Sequence, residues 1–412
     1  MTAPVASFQF ATAGRVVFGR GCAVAQVAAA CAQCAPEGGV FVVRGGGAAP
    51  RPSVAAVLAA VRDRVCGEFV LPAGEPTVET AERATQQARA AGARAVLAVG
   101  GGSVLDAGKA VAALAANGGA VLDYLEVVGR GAPLRVAALP VVAVPTTAGT
   151  GSEVTKNAVL ASAAHGVKAS LRAESMLPRV ALVDAALTDT CPAAVTVASG
   201  LDALTQCIEP LVSAARNPLT DALCLAGIAH AFPALARIAE SLSSSSASAD
   251  TDYFACSADD RDRLCFASLC GGLALANAKL GIVHGIAGPA GGMLARAAHG
   301  ALCGALLPHA MRANVAAVRA LDAADPRRAD LLARYGRIAG VVTGRDGADA
   351  DEGVAAGARR VRELRAPSLG ALGLDRARVD ELAAKALRAG STKGNALPLT
   401  QEQIASIIVD AL

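Results

Sequence analysis

The chain has 412 residues, 53% hydrophobic and 18% charged, which is enough to bury a large core and too many for a peptide hormone or minimal module. Its 38 basic and 35 acidic side chains leave a formal charge of +3, and Lys and Arg are scattered, which argues against a dedicated nucleic-acid binder. Aromatics at 3% make base stacking a poor basis for recognition, and no run of about 18 strongly apolar residues free of charge and Pro predicts a membrane span.

The opening MTAPVASFQF carries no basic-then-apolar leader, so a cytoplasmic, reducing location is expected. The eleven cysteines are odd in number and irregularly spaced, which gives no disulfide framework. Cys31 and Cys34 form a lone C-x-x-C in an Ala-rich helical stretch, without the second pair that completes a zinc site. The cysteines are read as buried small hydrophobes.

Short apolar runs then alternate with helical patterns. Strands are predicted at 40–43, 65–70, 95–99, 141–144 and 180–184, with helices near 50–63, 77–91 and 103–116 serving as crossovers of a mostly parallel sheet. After about residue 188 the texture changes to long amphipathic segments at 193–215, 218–241, 259–278 and 300–323. The pattern predicts an α/β domain over 1–188 and an all-α domain over 189–412. The Ser-rich stretch 241–250 is expected to be a mobile surface loop, because it holds too few apolar groups to offset the cost of ordering.

Four segments carry chemistry. In AVLAVGGGSVLDAGKAVA (95–112) an apolar strand runs into three glycines and then Ser103 at the start of a helix. Close backbone approach and free N–H groups at a helix N-terminus suit a pyrophosphate. The spacing is neither G-x-G-x-x-G nor G-x-x-x-x-G-K-[ST]. In VVAVPTTAGTGSEVTKNAVL (141–160), Thr146, Thr147 and Thr150 offer hydroxyls at the carboxyl end of a strand, where open α/β sheets bind ligands. A plain loop of turn formers is the alternative. SGLDALTQCIEPL (199–211) puts Asp202 and Gln206 at i and i+4 on one helical face, a spacing that a solvated polar face also explains. LGIVHGIAGPAGGMLARAAHGALCGALLPHAM (280–311) holds three of the five histidines. His284 and His299, each followed by Gly in apolar surroundings, read as a ligand pair, and His309 as structural.

Taken in order, these segments resemble the iron-containing, group III alcohol dehydrogenases. The resemblance starts at FQFATAGRVVFGRG, reaches the helix around Asn314 and extends more weakly to STKGNALPLT. It implies a dehydroquinate synthase-like fold: an α/β N-terminal dinucleotide-binding domain plus an all-α C-terminal domain, with the active site in the cleft between them. It also implies an NAD(P)-dependent oxidoreductase that transfers hydride between a nicotinamide and a small alcohol or aldehyde, acting as a homodimer. No nucleic acid or membrane partner is expected. Maleylacetate reductase and hydroxyacid–oxoacid transhydrogenase activities belong to the same fold, and a catalytically silent dinucleotide-binding protein is the reading from another class.

Carried over position by position, the ligands of one divalent metal, iron or zinc, are Asp202, Gln206, His284 and His299. Gln206 departs from the family's usual His, and an amide oxygen favours harder ions. Gly288 stands where many members have a His that assists proton movement, so the proton would leave through water, ribose hydroxyls or another side chain. None of the eleven cysteines falls on a position that carries chemistry in the family. For the cofactor, Arg44 stands where NAD-using members commonly have Asp. With Gly45 and Gly46 it implies a 2′-phosphate site and NADP over NAD. Gly101, Gly102, Ser103 and Asp106 are implied to line the pyrophosphate and nicotinamide side, with Thr146, Thr147, Thr150, Lys168 and Leu187 completing the cofactor cleft.

Overall fold

The computed structural model describes residues 7–47, 49–244 and 256–412. The chain divides into two compact units, 12–190 and 191–412, the second taking in the segment that ends at Ala11. Ala11 is tied there by reciprocal bonds with the Asn277 side chain, at 2.7 and 2.9 Å.

The first unit runs β1 (Val16–Phe18), α1 (Cys22–Cys34), β2 (Val40–Arg44), α2 (Pro52–Ala59), β3 (Val65–Val70), α3 (Val78–Ala90), β4 (Ala95–Gly100), α4 (Gly102–Asn117), the single turn α5 (Val121–Tyr124), β5 (Val141–Pro145), β6 (Asn157–Ser162), β7 (Val167–Arg172) and β8 (Val180–Val183). Six strands form one sheet in the order β1-β8-β5-β4-β2-β3, and every pairing in it is parallel. The apolar runs are continuous because both faces are covered. Val42, Leu97, Val144 and Leu182 face Val27 of α1 and Val57 of α2, while Val43, Ala98 and Ala143 face Ala88 of α3 and Leu105 of α4.

The five predicted strands are all present, with Asp184 leaving the last one to cap the turn that follows. Its carboxylate accepts from the N–H groups of Ala186, Gly21 and Ala23 at 3.0 to 3.1 Å. The sequence reading lacked β1, whose three residues are too few to show a period, and the antiparallel hairpin β6–β7, whose alternate residues are buried on one face only.

The second unit is helical: α6 (Ala193–Val212), α7 (Pro218–Ser244), α8 (Ala258–Ala278), α9 (Ile282–Met293), α10 (His299–Arg319), α11 (Pro326–Thr343), α12 (Ala350–Glu363), α13 (Val379–Arg388) and α14 (Gln401–Asp410). Residues 241–244 of the Ser-rich stretch close α7, and the remainder of that expected loop lies outside the described residues. By length and composition α7 and α10 could each cross a bilayer, which a search for uncharged, Pro-free runs does not register. In α10, however, 72% of the apolar stretch is buried inside the protein.

Glycine lets α10 lie against α6. A Cβ at Gly300 would stand 2.0 Å from the Ala198 carbonyl oxygen, and one at Gly304 would stand 2.6 Å from Leu201 Cδ1. The backbone clash cannot be relieved by a rotamer change. Gly300→Ala is therefore expected to lower stability by about 1–3 kcal/mol despite the better helix propensity of Ala. Thermal unfolding checks this, and an unchanged or raised Tm would refute the close-packing argument.

Candidate metal and cofactor sites

In the second unit, α6 presents Asp202, Gln206 and Glu209 along one buried face at i, i+4 and i+7. His284 lies in the first turn of α9 and His299 opens α10. His284 is held between two carboxylates: its Nε2 is 3.2 Å from Asp202 Oδ1, and its Nδ1 is 2.6 Å from Glu209 Oε2. Nδ1–H donates to Glu209 and, in the metal-free protein, Nε2–H donates to Asp202; an ion bound at Nε2 would displace the latter proton. His299 Nε2 is 4.0 Å from the same Asp202 oxygen.

The N-terminus of α9 is fixed by groups remote in sequence. Val283 N–H donates to Glu209 Oε1 at 2.6 Å and Ile282 N–H to Asn395 Oδ1 at 3.1 Å. Asn395 is paired amide to amide with Asn314. Gly281 precedes this helix, and a Cβ there would stand 2.8 Å from Glu209 Oε1 and 2.9 Å from Asn395 Oδ1. The STKGNALPLT segment thus anchors the helix that carries His284.

Burial alone would raise the Asp202 carboxyl, but the hydrogen bond from His284 and the nearby imidazoles outweigh it, and its pKa is lowered. Burial would likewise lower His284, yet Cys303, Asp202 and Glu209 together push it well above the usual range. His299 is also raised, against its own burial, by Cys303 and Asp202.

One ligand atom from each of Asp202, His284, His299 and Cys303 lies within 4.8 Å of the others. Carboxylate, imidazole and thiol are the donors that divalent transition metals take, and this spacing suits a shared ion, so the residues present fit a metal. Gln206 is buried one turn after Asp202, its Cβ packed where a Cβ on Gly271 of α8 would reach 2.9 Å.

Sequence reasoning missed Glu209 and Cys303. Their signals were there: Glu209 is seven residues from Asp202 and Cys303 four from His299, each on the same helical face as a chosen residue. Most cysteines are buried as expected, none of those described is in a disulfide, and burial pushes the Cys31 thiol up to about 12. Cys303 is the exception in placement, because it sits among the ligands.

In the first unit the sheet reverses direction of growth between β2 and β4, so the loops after these strands diverge and leave a crevice at their carboxyl ends. Gly101 caps α4 without a side-chain bond, which leaves the helix N-terminus open to an anion. The hydroxyl loop packs against this turn: a Cβ at Gly102 would stand 2.6 Å from Thr150 Oγ1, and one at Gly101 would stand 3.2 Å from Thr147 Oγ1. Ser103 lies in the first turn of α4, and Thr146 N–H donates to Gly100 O at 2.9 Å.

Asp106 accepts from Ser152 Oγ at 2.5 Å and Val159 N–H at 2.9 Å, and it pairs with Lys109 at 3.1 Å. The buried Lys109 also donates to Ser152 O and Thr155 Oγ1. Asp106 therefore holds the hydroxyl loop in place. Lys168 pairs with Glu75 at 2.9 Å, and Leu187 is buried in the apolar core.

Arg44 ends β2 with only 4% of its surface exposed. Its guanidinium donates to Glu68 at 2.9 Å through Nε and to Gly47 O at 2.8 Å through Nη1, and Nη2 lies 2.8 Å from Glu68. Gly46 has φ +89°, a turn conformation that glycine tolerates, and Gly45 N–H reaches Val99 O at 3.3 Å.

The model of the iron-containing alcohol dehydrogenases matches residues 13–185, and that of the family's C-terminal region matches 196–412. The chain belongs to the iron-containing alcohol dehydrogenase family. Among its relatives in that family is the probable alcohol dehydrogenase EutG of Escherichia coli, 37% identical over 243 residues, which span 59% of this chain and 57% of EutG. The 1,3-propanediol dehydrogenase of Klebsiella pneumoniae is 34% identical over 77% of this chain and 75% of its own length. A crystal structure of a 1,3-propanediol oxidoreductase superposes with a TM-score of 0.84 at 27% identity, over 99% of this chain and all of that one.

Proposed function

We propose that this chain is a metal-assisted, nicotinamide-dependent dehydrogenase of small alcohols that also reduces the corresponding aldehydes. The observation that carries this reading is the convergence of Asp202, His284 and His299, from three helices, on one point. These residues would hold a divalent ion of the iron or zinc kind. When bound, that ion polarises a substrate oxygen as a Lewis acid, while the nicotinamide takes or gives the hydride. Glu209 keeps the proton of His284 on Nδ1 and so presents Nε2 to the site. The open N-terminus of α4 would bind the dinucleotide pyrophosphate, with Lys109 and Asp106 keeping the hydroxyl loop beside it.

Gly288 has no heavy atom within 4 Å of its Cβ position, so no neighbouring side chain fills the place of the family's His. The proton released on alcohol oxidation would therefore leave through water or the ribose hydroxyls of the cofactor. His299 offers the more open path, since its side chain is 30% exposed against 6% for His284. The sound ligand cluster weighs against the catalytically silent reading. The short diols in the names of two relatives make short primary alcohols and diols the first substrates to try.

For the cofactor, NADP over NAD rests on Arg44 meeting a 2′-phosphate. Glu68 competes for the same guanidinium and would repel that phosphate. Glu68→Gln is expected to raise the NADP-to-NAD ratio of kcat/KM by roughly three- to tenfold, and Arg44→Asp to move it toward NAD. Unchanged ratios in both variants would remove Arg44 from cofactor selection. The function itself is tested by metal analysis of protein purified without chelator, together with NADPH and NADH oxidation against a panel of short aldehydes. Absence of metal, and of turnover after addition of iron, zinc or manganese, would overturn it.

A further inference from the structure

We infer that Cys303 is a metal ligand in this chain, donating as a thiolate beside Asp202, His284 and His299. The inference rests on the metal reading of Asp202, His284 and His299 proposed above. It goes further by naming the fourth donor and the class of ion that donor selects.

Geometry is the first support. With metal–sulfur near about 2.3 Å and metal–nitrogen near about 2.0–2.1 Å, a tetrahedral centre has sulfur–nitrogen edges of about 3.5 Å. Cys303 Sγ lies 3.8 Å from His284 Nε2 and 3.7 Å from His299 Nε2. The corresponding oxygen–nitrogen edges are about 3.3 Å. Asp202 Oδ1 lies 3.2 Å from His284 Nε2 and 4.0 Å from His299 Nε2. Three of the four edges are within a few tenths of an ångström of closure, and the fourth, between Asp202 and His299 at 4.0 Å, is longer.

Placement is the second. Cys303 stands one turn after His299 on α10, so the two side chains share a helical face. Close approach of α10 to α6 at Gly300 and Gly304 carries that face onto Asp202. The thiol is buried, 0% exposed, and its neighbours are the atoms that ligate.

Charge is the third. A divalent ion stabilises the thiolate that it binds, so a buried thiol such as Cys303 can ligate without a separate base. Metal binding releases the thiol proton to solvent, and the metal–sulfur bond forms in its place without any change of oxidation state. A thiolate beside two imidazoles favours zinc over harder ions such as manganese.

The test is X-ray absorption at the zinc edge on the full-length protein loaded with one equivalent of zinc. The wild type is expected to show one sulfur neighbour at about 2.3 Å beside nitrogen and oxygen. Cys303→Ser should lose that sulfur and bind zinc at least about tenfold more weakly, while Cys31→Ser keeps it, which excludes the C-x-x-C pair as the source. A nitrogen- and oxygen-only shell in zinc-loaded wild type, or a sulfur that survives Cys303→Ser, would overturn the inference and leave the metal reading standing. Failure of the wild type to retain zinc, iron or manganese would overturn both.

Discussion

Truncation of His284 to Ala is expected to abolish metal binding and to destabilise the metal-free protein by about 3–5 kcal/mol. The ring separates two carboxylates that are 3% and 6% exposed, and each of its nitrogens serves one of them. Without it Glu209 keeps only the Val283 N–H, and Asp202 faces a cavity with His299 at a distance. A buried carboxylate stripped of its partner costs more than the lost hydrogen bond, because its desolvation is no longer compensated.

The variant relieves that cost by protonating Asp202, so the folded-state pKa of this acid rises above the unfolded one. A raised acid holds its proton in the folded state while the unfolded chain releases it, so stability falls as pH rises above the ordinary carboxylate range. Denaturant unfolding in chelator at acid and neutral pH checks the sign. His284→Gln retains an amide donor and should lose less. If His284→Ala unfolded like its parent at neutral pH, Asp202 and Glu209 would not depend on the imidazole.

The second large effect is expected from Glu209→Gln, which should weaken metal binding about 10–100-fold with little change in fold. Its Oε1 can still accept from Val283 N–H, so the start of α9 is kept. At Nδ1, however, an amide N–H replaces a carboxylate oxygen. It donates to the ring, which then carries its proton on Nε2, where the ion must bind. Metal titration measures the loss, and nitrogen NMR of the imidazole reports the tautomer, which a merely structural role would not move. Tight metal binding together with an unchanged Nδ1–H tautomer would show that Glu209 does not orient His284.

How much of this was legible in the sequence follows from the range of the interactions involved. The strands at 40–43, 95–99 and 141–144 were readable because burial on both sheet faces demands unbroken apolar runs. The glycine turn before α4 was readable because only glycine admits the threonine loop so close. Asp202, His284 and His299 stood out by residue type in apolar helices.

Glu209 and Cys303 did not stand out, although each shares a face with a chosen residue. A helical period says which residues lie together and not what meets them. Arg44 shows the same limit: its type suggested a phosphate, and the neighbouring strand supplied Glu68.

By itself, then, the sequence determined the order of elements, the family and the residue types that carry chemistry, since these depend on local spacing and composition. Tertiary structure alone decided which atoms meet. It brought α6, α9 and α10 together through glycines at their contacts, placed one carboxylate on each side of His284, set a thiol beside two imidazoles and tied Arg44 to Glu68. These contacts join residues far apart in the chain. Their geometry follows from helix packing and strand order, which no short stretch of sequence contains.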